Sequence, residues 1–304
     1  MINALTVDLE EWFCVSNFGD VIRREDWPRM ESRVEGSTFE LLDLLDRHRV
    51  SATFFVLGWV AERHPDLIRA LVDRGHEVAS HGYSHRLVYE QTPGQFEEDI
   101  ERSIEVLAGL TGTGCEGYRA PSFSLRRNME WAWKVLTGFG IRYDSSVFPV
   151  VHDRYGEPDA PRFPFRHRCG SVAMMEFPLS TVRLSGRNLP IAGGGYLRLY
   201  PYGVTRWGIR KINAEGQPAV VYLHPWEIDP GQPKPRAPYL RQIRHRIGIH
   251  STKQKLDRLL GDFKFAPMRE VLAGVVPVEN KEQQSGYSPK VSNGNPEVNL
   301  PRLW

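Results

Sequence analysis

The sequence predicts an α/β protein in which about seven parallel strands curl into a distorted (β/α) barrel. Three observations carry that expectation. Short apolar runs alternate with amphipathic helical stretches along most of the chain. Several of the runs are β-branched or aromatic and bounded by Gly or polar residues, as strands buried in a parallel sheet are. The unusual polar residues fall at the C-terminal ends of those runs, the end where such folds gather their chemistry.

In order along the chain, strands are expected at 4–7, 52–57, 77–80, 117–119, 141–144, 174–177 and 219–223. Helices lie between them. Ser37-Thr38-Phe39-Glu40 reads as a capping box opening a helix over 39–47, with Leu41, Leu44 and Leu45 on one face. Thr92-Pro93-Gly94-Gln95 starts a second, with Phe96, Ile100, Ile104 and Leu107 as its stripe. A third is expected over 128–137, stopped by Gly138. Residues 1–275 form the expected barrel domain, and 276–304 an expected disordered tail, because from Glu279 onward Asn, Gln, Ser, Pro and charge replace apolar periodicity.

The 304 residues, 41% hydrophobic and 25% charged, suit a globular chain. A formal charge of +2 gives no pointer to nucleic acid or an anionic membrane. Basic residues cluster at 234–255, including Lys234, Arg236, Arg241, Arg244 and Arg246, and are read as a solvated face. Cys14, Cys115 and Cys169 are odd in number and widely spaced, which argues against a disulfide framework. The first apolar run ends at Asp8, with no basic leader and no bilayer-length stretch, so no transmembrane segment and a cytoplasmic location are expected.

Five polar constellations close the strands. Asp8 and Glu10 stand two apart, so on a strand both project to one face. His81 and His85 stand four apart, which on one helical turn places both imidazoles on one side. Two imidazoles and a carboxylate suit zinc or another first-row divalent ion, whereas His76, ahead of its strand, reads as structural. Arg119 precedes the Pro-shaped turn at Pro121-Ser122; Asp144 closes the next strand; His224 closes the last strong one. Each taken alone has a plain explanation as a loop residue or surface ion pair.

Together they resemble the five motifs of the polysaccharide deacetylase (NodB-homology) family, carbohydrate esterase family four. Its first motif is usually Thr-Phe-Asp-Asp-Gly, its second His-Ser/Thr-x-x-His and its third Arg-x-Pro. The resemblance runs from about Leu5 to Trp226 and is most specific at Gly75-His76-Glu77-Val78 with the following His pair. More narrowly, the runs 7–12 (Val-Asp-Leu-Glu-Glu-Trp), 118–124 (Tyr-Arg-Ala-Pro-Ser-Phe-Ser), 143–149 (Tyr-Asp-Ser-Ser-Val-Phe-Pro), 194–198 (Gly-Gly-Tyr-Leu-Arg) and 224–229 (His-Pro-Trp-Glu-Ile-Asp) look like the exosortase-associated branch, which is linked to exopolysaccharide production. In one respect the chain departs: the usual second Asp falls at Leu9, which cannot ligate, and strand alternation nominates Glu10 instead of Glu11.

The resemblance implies a metal-dependent hydrolase that removes N-acetyl groups from an amino-sugar glycan, as oligosaccharide, polysaccharide or biosynthetic intermediate. Glu10, His81 and His85 would hold one divalent ion, zinc first and cobalt or nickel as alternatives. Asp8 would be the base, oriented by Arg119, with the Ser122 N–H at the oxyanion and His224 as acid supported by Asp144. Trp12, Tyr196 and Trp226 are the aromatic candidates for sugar contact, with core packing an equal reading of each. Two rivals stay open: a metal-independent, allantoinase-like hydrolase of cyclic amides on the same fold, and a non-catalytic carbohydrate-binding protein.

Overall fold

Strands buried on both faces need covering helices, and the chain alternates the two for most of its length. The computed structural model describes residues 1–152, 155–191 and 193–278. Its elements run β1 (Ile2–Leu9), α1 (Val34–His48), β2 (Thr53–Val56), α2 (Gly58–Arg63), α3 (Pro65–Asp73), β3 (Glu77–Ser80), α4 (Pro93–Thr111), β4 (Gly117–Tyr118), α5 (Glu130–Gly138) and β5 (Tyr143–Asp144). They continue with β6 (Phe165–Cys169), β7 (Val172–Glu176), β8 (Thr181–Leu184), β9 (Arg187–Pro190), α6 (Gly195–Leu199), α7 (Tyr202–Ala214), β10 (Val220–Leu223), α8 (Tyr239–Arg246), α9 (Ile249–Asp262), β11 (Lys264–Ala266) and α10 (Met268–Ala273).

The main sheet follows the order β10-β1-β2-β3-β4-β5-β7-β6, with β11 also beside β1. Every pair is parallel except β6 with β7. All seven expected strands are there, as β1 to β5, β7 and β10. The expected closure into a barrel is not shown: among the described residues no pairing joins β10 to β6. Irregular chain lies beside β10 instead, with the Ser180 hydroxyl accepting from the Val220 N–H at 2.7 Å and the Gly194 N–H donating to the Tyr222 carbonyl at 2.9 Å. That close approach requires glycine at 193, where φ is +126° and a Cβ would stand 1.9 Å from the Tyr222 oxygen.

Alternation along β1 decides what points where. Leu5, Val7 and Leu9 join the cluster under the helices, and Ala4 joins a second cluster with Phe55, Tyr143 and Tyr222 on the concave side. Asp8 shares the parity of Ala4 and therefore reaches the concave side.

Two helix starts test the local signals. Thr92 caps α4 as expected, its hydroxyl accepting from the Gln95 N–H while Gln95 returns to the Thr92 N–H. The capping box expected at Ser37 is overturned: α1 begins at Val34, ahead of Ser37, and the Ser37 hydroxyl donates to the Arg33 carbonyl from inside the helix. Strand β6 was not anticipated, because Arg166 and Arg168 flanking His167 mask an edge strand whose Phe165 and His167 are buried. The expected tail begins within ordered chain, since the Val278 N–H still donates to the Pro164 carbonyl at 2.8 Å; residues 279–304 lie outside the described residues.

Candidate functional site

Arg119, fully buried at the end of β4, organises the concave face. A buried guanidinium is costly unless each donor is met. Here Nη1 donates to Asp8 Oδ1 at 2.7 Å and to the Thr6 hydroxyl at 2.8 Å, Nε to the Ser145 carbonyl at 3.0 Å and Nη2 to the Ser145 hydroxyl at 2.9 Å. The ring of Phe55 lies 4.2 Å beneath it. Asp8 is thereby fixed with its second oxygen free to face the site.

The His81–His85 stretch is an irregular loop, so the helical turn expected to align the two rings is replaced by a left-handed kink, with Gly82 at φ +73° and His85 at φ +54°. Two side chains hold that strained loop. Asp99 of α4 accepts from the Tyr83 N–H at 2.8 Å, the Ser84 N–H at 3.1 Å and the Ser84 hydroxyl. Arg24 donates to the Ser84 and His85 carbonyls at 2.7 and 3.2 Å. Neither was visible in the sequence, because each is far from the loop it clamps.

His81 Nδ1 lies 2.7 Å from the Arg119 carbonyl. A carbonyl only accepts, so Nδ1 carries the proton and Nε2 keeps its lone pair for a ligand. His85 Nε2 lies 2.6 Å from Glu10 Oε2. One ligand atom each from Glu10, His81 and His85 fall within 4.8 Å of one another, all buried. One carboxylate and two imidazoles converging on one point fit a three-ligand divalent site. Burial alone would raise the Glu10 carboxyl; His85, with His224 and His81, outweighs it and holds it down at about 2. Burial likewise lowers His81, to about 4. Glu11 turns away. Its oxygens accept from the Arg33 N–H at 3.2 and 3.1 Å and from Ser32, so it caps the start of α1, and its burial pushes it up.

His224 approaches from the β10 side, with Nε2 3.8 Å from Asp8 Oδ2 and 3.6 Å from Glu10 Oε1. Its Nδ1 is 3.3 Å from Glu227 Oε2. Burial disfavours the imidazolium, but Glu227, then Glu10 and Asp8, overcome it and raise His224 to about 9. Glu227 is fully buried and receives Arg198 Nε at 2.6 Å; Arg198 in turn donates to the carbonyls of Arg244, His245 and Ile247 at the end of α8, at 3.1, 2.7 and 3.2 Å.

The support expected from Asp144 therefore falls to Glu227. Asp144 instead accepts from the Ser146 N–H and hydroxyl, both at 2.7 Å, and its strand neighbour is Glu176. Both carboxyls are fully buried, and Glu176 Oε2 has no donor facing it. Burial and then Asp144 push Glu176 far up, so Glu176 keeps a proton and shares it with Asp144.

Of the three aromatic candidates, the two tryptophans are packed in the interior. Trp12 is core, 1% exposed, with its N–H donating to the Glu31 carbonyl at 3.0 Å. Trp226 is buried between His224 and His245, at ring distances of 5.0 and 4.4 Å, and donates to Glu10 Oε1 at 3.3 Å; it orients the site rather than walling it. Tyr196 packs edge-on to Phe148 at 6.1 Å. Large rings with a satisfied polar atom make good core, and that won for both tryptophans. The cleft beside His85, about 940 Å³, is lined by Phe13, Trp27 and Tyr89 along with Ser16, Arg24 and Ser122. Ser122 sits at φ +50°, its hydroxyl 2.6 Å from that of Ser16.

The family model described as polysaccharide deacetylase matches residues 25–143, and a domain of unknown function (DUF3473) matches residues 145–273. A peptidoglycan deacetylase of Helicobacter pylori is 36% identical over 109 residues, 35% of this chain and 36% of that protein. A peptidoglycan-N-acetylglucosamine deacetylase of Bacillus cereus is 32% identical over 96 residues, 31% and 35% of the two chains. A chitooligosaccharide deacetylase of Sinorhizobium fredii is 56% identical over 48 residues, 16% and 22%. The chain thus spans about a third or less of the length of these relatives. The solved structure of a Mycobacterium smegmatis polysaccharide-deacetylase-like protein superposes with a TM-score of 0.59 at 22% identity, covering 95% of this chain and 94% of that one, and shows the same fold. The likeness to polysaccharide deacetylases thus rests on residues 25–143 and on relatives matched over part of their length.

Proposed function

We propose that this protein is a metal-dependent N-deacetylase of amino-sugar glycans. The observation that carries the reading is the convergence of Glu10, His81 and His85 beside the Arg119-held Asp8, with His224 facing them from β10. The names of the relatives, deacetylases of peptidoglycan and chitooligosaccharides, support an N-acetylated glycan as substrate.

Glu10, His81 and His85 would hold a divalent ion, zinc first, which when bound would supply Lewis acidity toward the amide carbonyl and acidify water. The chain's own groups do the rest. Asp8, fixed by Arg119, accepts a proton from the attacking water, whose oxygen bonds to the acetyl carbon. The N–H of Ser122, a residue that lines the cleft, is assigned to the developing oxyanion. His224 gives its proton to the glycan nitrogen as the C–N bond breaks, leaving acetate and a free amine. The imidazolium needed for that step is what Glu227 favours, itself held ionised by Arg198. A role in exopolysaccharide production, as in the exosortase-associated branch, would be the setting for this reaction.

Zinc-loaded protein should release acetate from N-acetylated chito-oligosaccharides or peptidoglycan fragments. Asp8→Asn should lower that rate by about two to four orders of magnitude while metal content holds, because an amide keeps the shape but accepts no proton. Acetate release that survives removal of all bound metal would overturn the reading.

A further inference from the structure

The exposed cationic side chains of the basic run at 234–255 take no part in the proposed reaction, and their arrangement on the surface differs from a merely solvated face. From residue 230 to 256 the chain has seven Lys and Arg and no Asp or Glu, within a protein of formal charge only +2. In the middle lies α8. Its inner side is fixed by His245, buried against Trp226 and Phe18 at ring distances of 4.4 and 4.7 Å. Its outer side carries Tyr239, Leu240 and Ile243, followed by Ile247, which are 76, 73, 41 and 37% exposed. At helical spacing these fall on one arc, and Arg244 lies at its border. Lys234, Arg236 and Arg244 are exposed, and none has an acidic partner among the described residues.

We propose that α8 and the segment before it dock this protein on an anionic phospholipid bilayer. An apolar stripe bordered by unpaired cations is the pattern of a helix lying in the membrane interface, where aliphatic side chains enter the acyl boundary and cations meet headgroup phosphates. A soluble polyanion would satisfy the cations but leave Leu240 and Ile243 in water. A second copy of the chain would bury the apolar stripe but set this basic face against itself in a two-fold contact. Among the described residues no helix is long and apolar enough to cross a membrane, so the contact is peripheral. The position matters for the site as well. On the inner flank Arg241 lines the cleft and pairs with Asp20, and its carbonyl accepts from Asn17 Nδ2 at 3.0 Å. A bilayer held by α8 would therefore stand at the mouth of the cleft.

The full chain should co-sediment with vesicles of phosphatidylcholine containing phosphatidylglycerol, weakly with phosphatidylcholine alone, and release should follow added salt. Lys234→Gln/Arg236→Gln should lower the partition coefficient by about 25-fold, at roughly a factor of five per cation. Leu240→Ser/Ile243→Ser should lower it at least about tenfold. Both variants should keep the wild-type melting temperature and acetate release from a soluble oligosaccharide, which separates lost docking from lost folding. Failure to bind anionic vesicles at low salt overturns the proposal. So does undiminished binding by the Leu240/Ile243 variant, or a wild-type dimer in solution that this variant dissociates.

Discussion

His81 and His85 rest on supports quite unlike those of His224. The first pair is held by main chain and short loops: β3 delivers His81, the Arg119 carbonyl sets its tautomer, and Asp99 and Arg24 clamp the loop carrying His85. His224 rests on Glu227, Glu227 on Arg198, and Arg198 on three carbonyls at the end of α8. The His pair falls inside the polysaccharide deacetylase match and the His224 chain inside the domain of unknown function. The second region is therefore no appendage: it carries the charged network at one side of the proposed site.

The difference can be broken first at the metal side. Glu10→Gln should weaken metal affinity by more than about 100-fold, beyond what loss of an outer partner costs, and Glu11→Gln should leave it unchanged. Instead Glu11→Gln should cost about 1 kcal/mol of stability through the start of α1. Titration of both variants with zinc, alongside urea melts, checks this, and a reversed ranking would move the ligand to Glu11.

On the acid side, Glu227→Gln should keep metal yet lower kcat by about tenfold or more. An acid must be protonated to donate, so the rate falls as pH rises through the pKa of His224, about 9 with Glu227 in place. Without that anion burial prevails, and the alkaline fall should move to lower pH. A profile that only drops in height would reduce Glu227 to a structural part.

The smallest effect concerns Glu176. Its folded-state pKa lies above that of the unfolded chain, so the folded protein keeps a proton the unfolded one releases, and stability falls as pH rises above the ordinary carboxyl range. Glu176→Gln lacks that slope. It should gain at least about 1 kcal/mol on wild type between pH 5 and pH 8. Parallel stability curves from urea melts would show that the Asp144–Glu176 pair shares no proton.

Much of the site was legible beforehand, and the reasons are local. Strand alternation put Asp8 on the concave side, and Glu10 and Leu9 followed as expected even though β1 ends at Leu9, since the Glu10 N–H turns back to the Asp8 carbonyl at 3.1 Å. The spacing of His81 and His85 marked a pair that the structure brings together, through a left-handed loop and not a helical turn. Asp144 was assigned to His224 by the resemblance, and motif order along a chain says nothing of which strand ends face each other.

By itself the sequence determined the seven parallel strands, the chemistry at their ends and the identity of the three candidate ligands, because apolar periodicity and short spacings are written in neighbouring residues. Only the tertiary structure decided that irregular chain lies beside β10, that Trp12 and Trp226 are packed rather than displayed, and that Arg198 and Asp99 support the residues of the proposed site. Those outcomes depend on which buried charges meet which partners across tens to hundreds of residues. The cost of an unmet buried charge selects them in the folded chain, and no local pattern announces it.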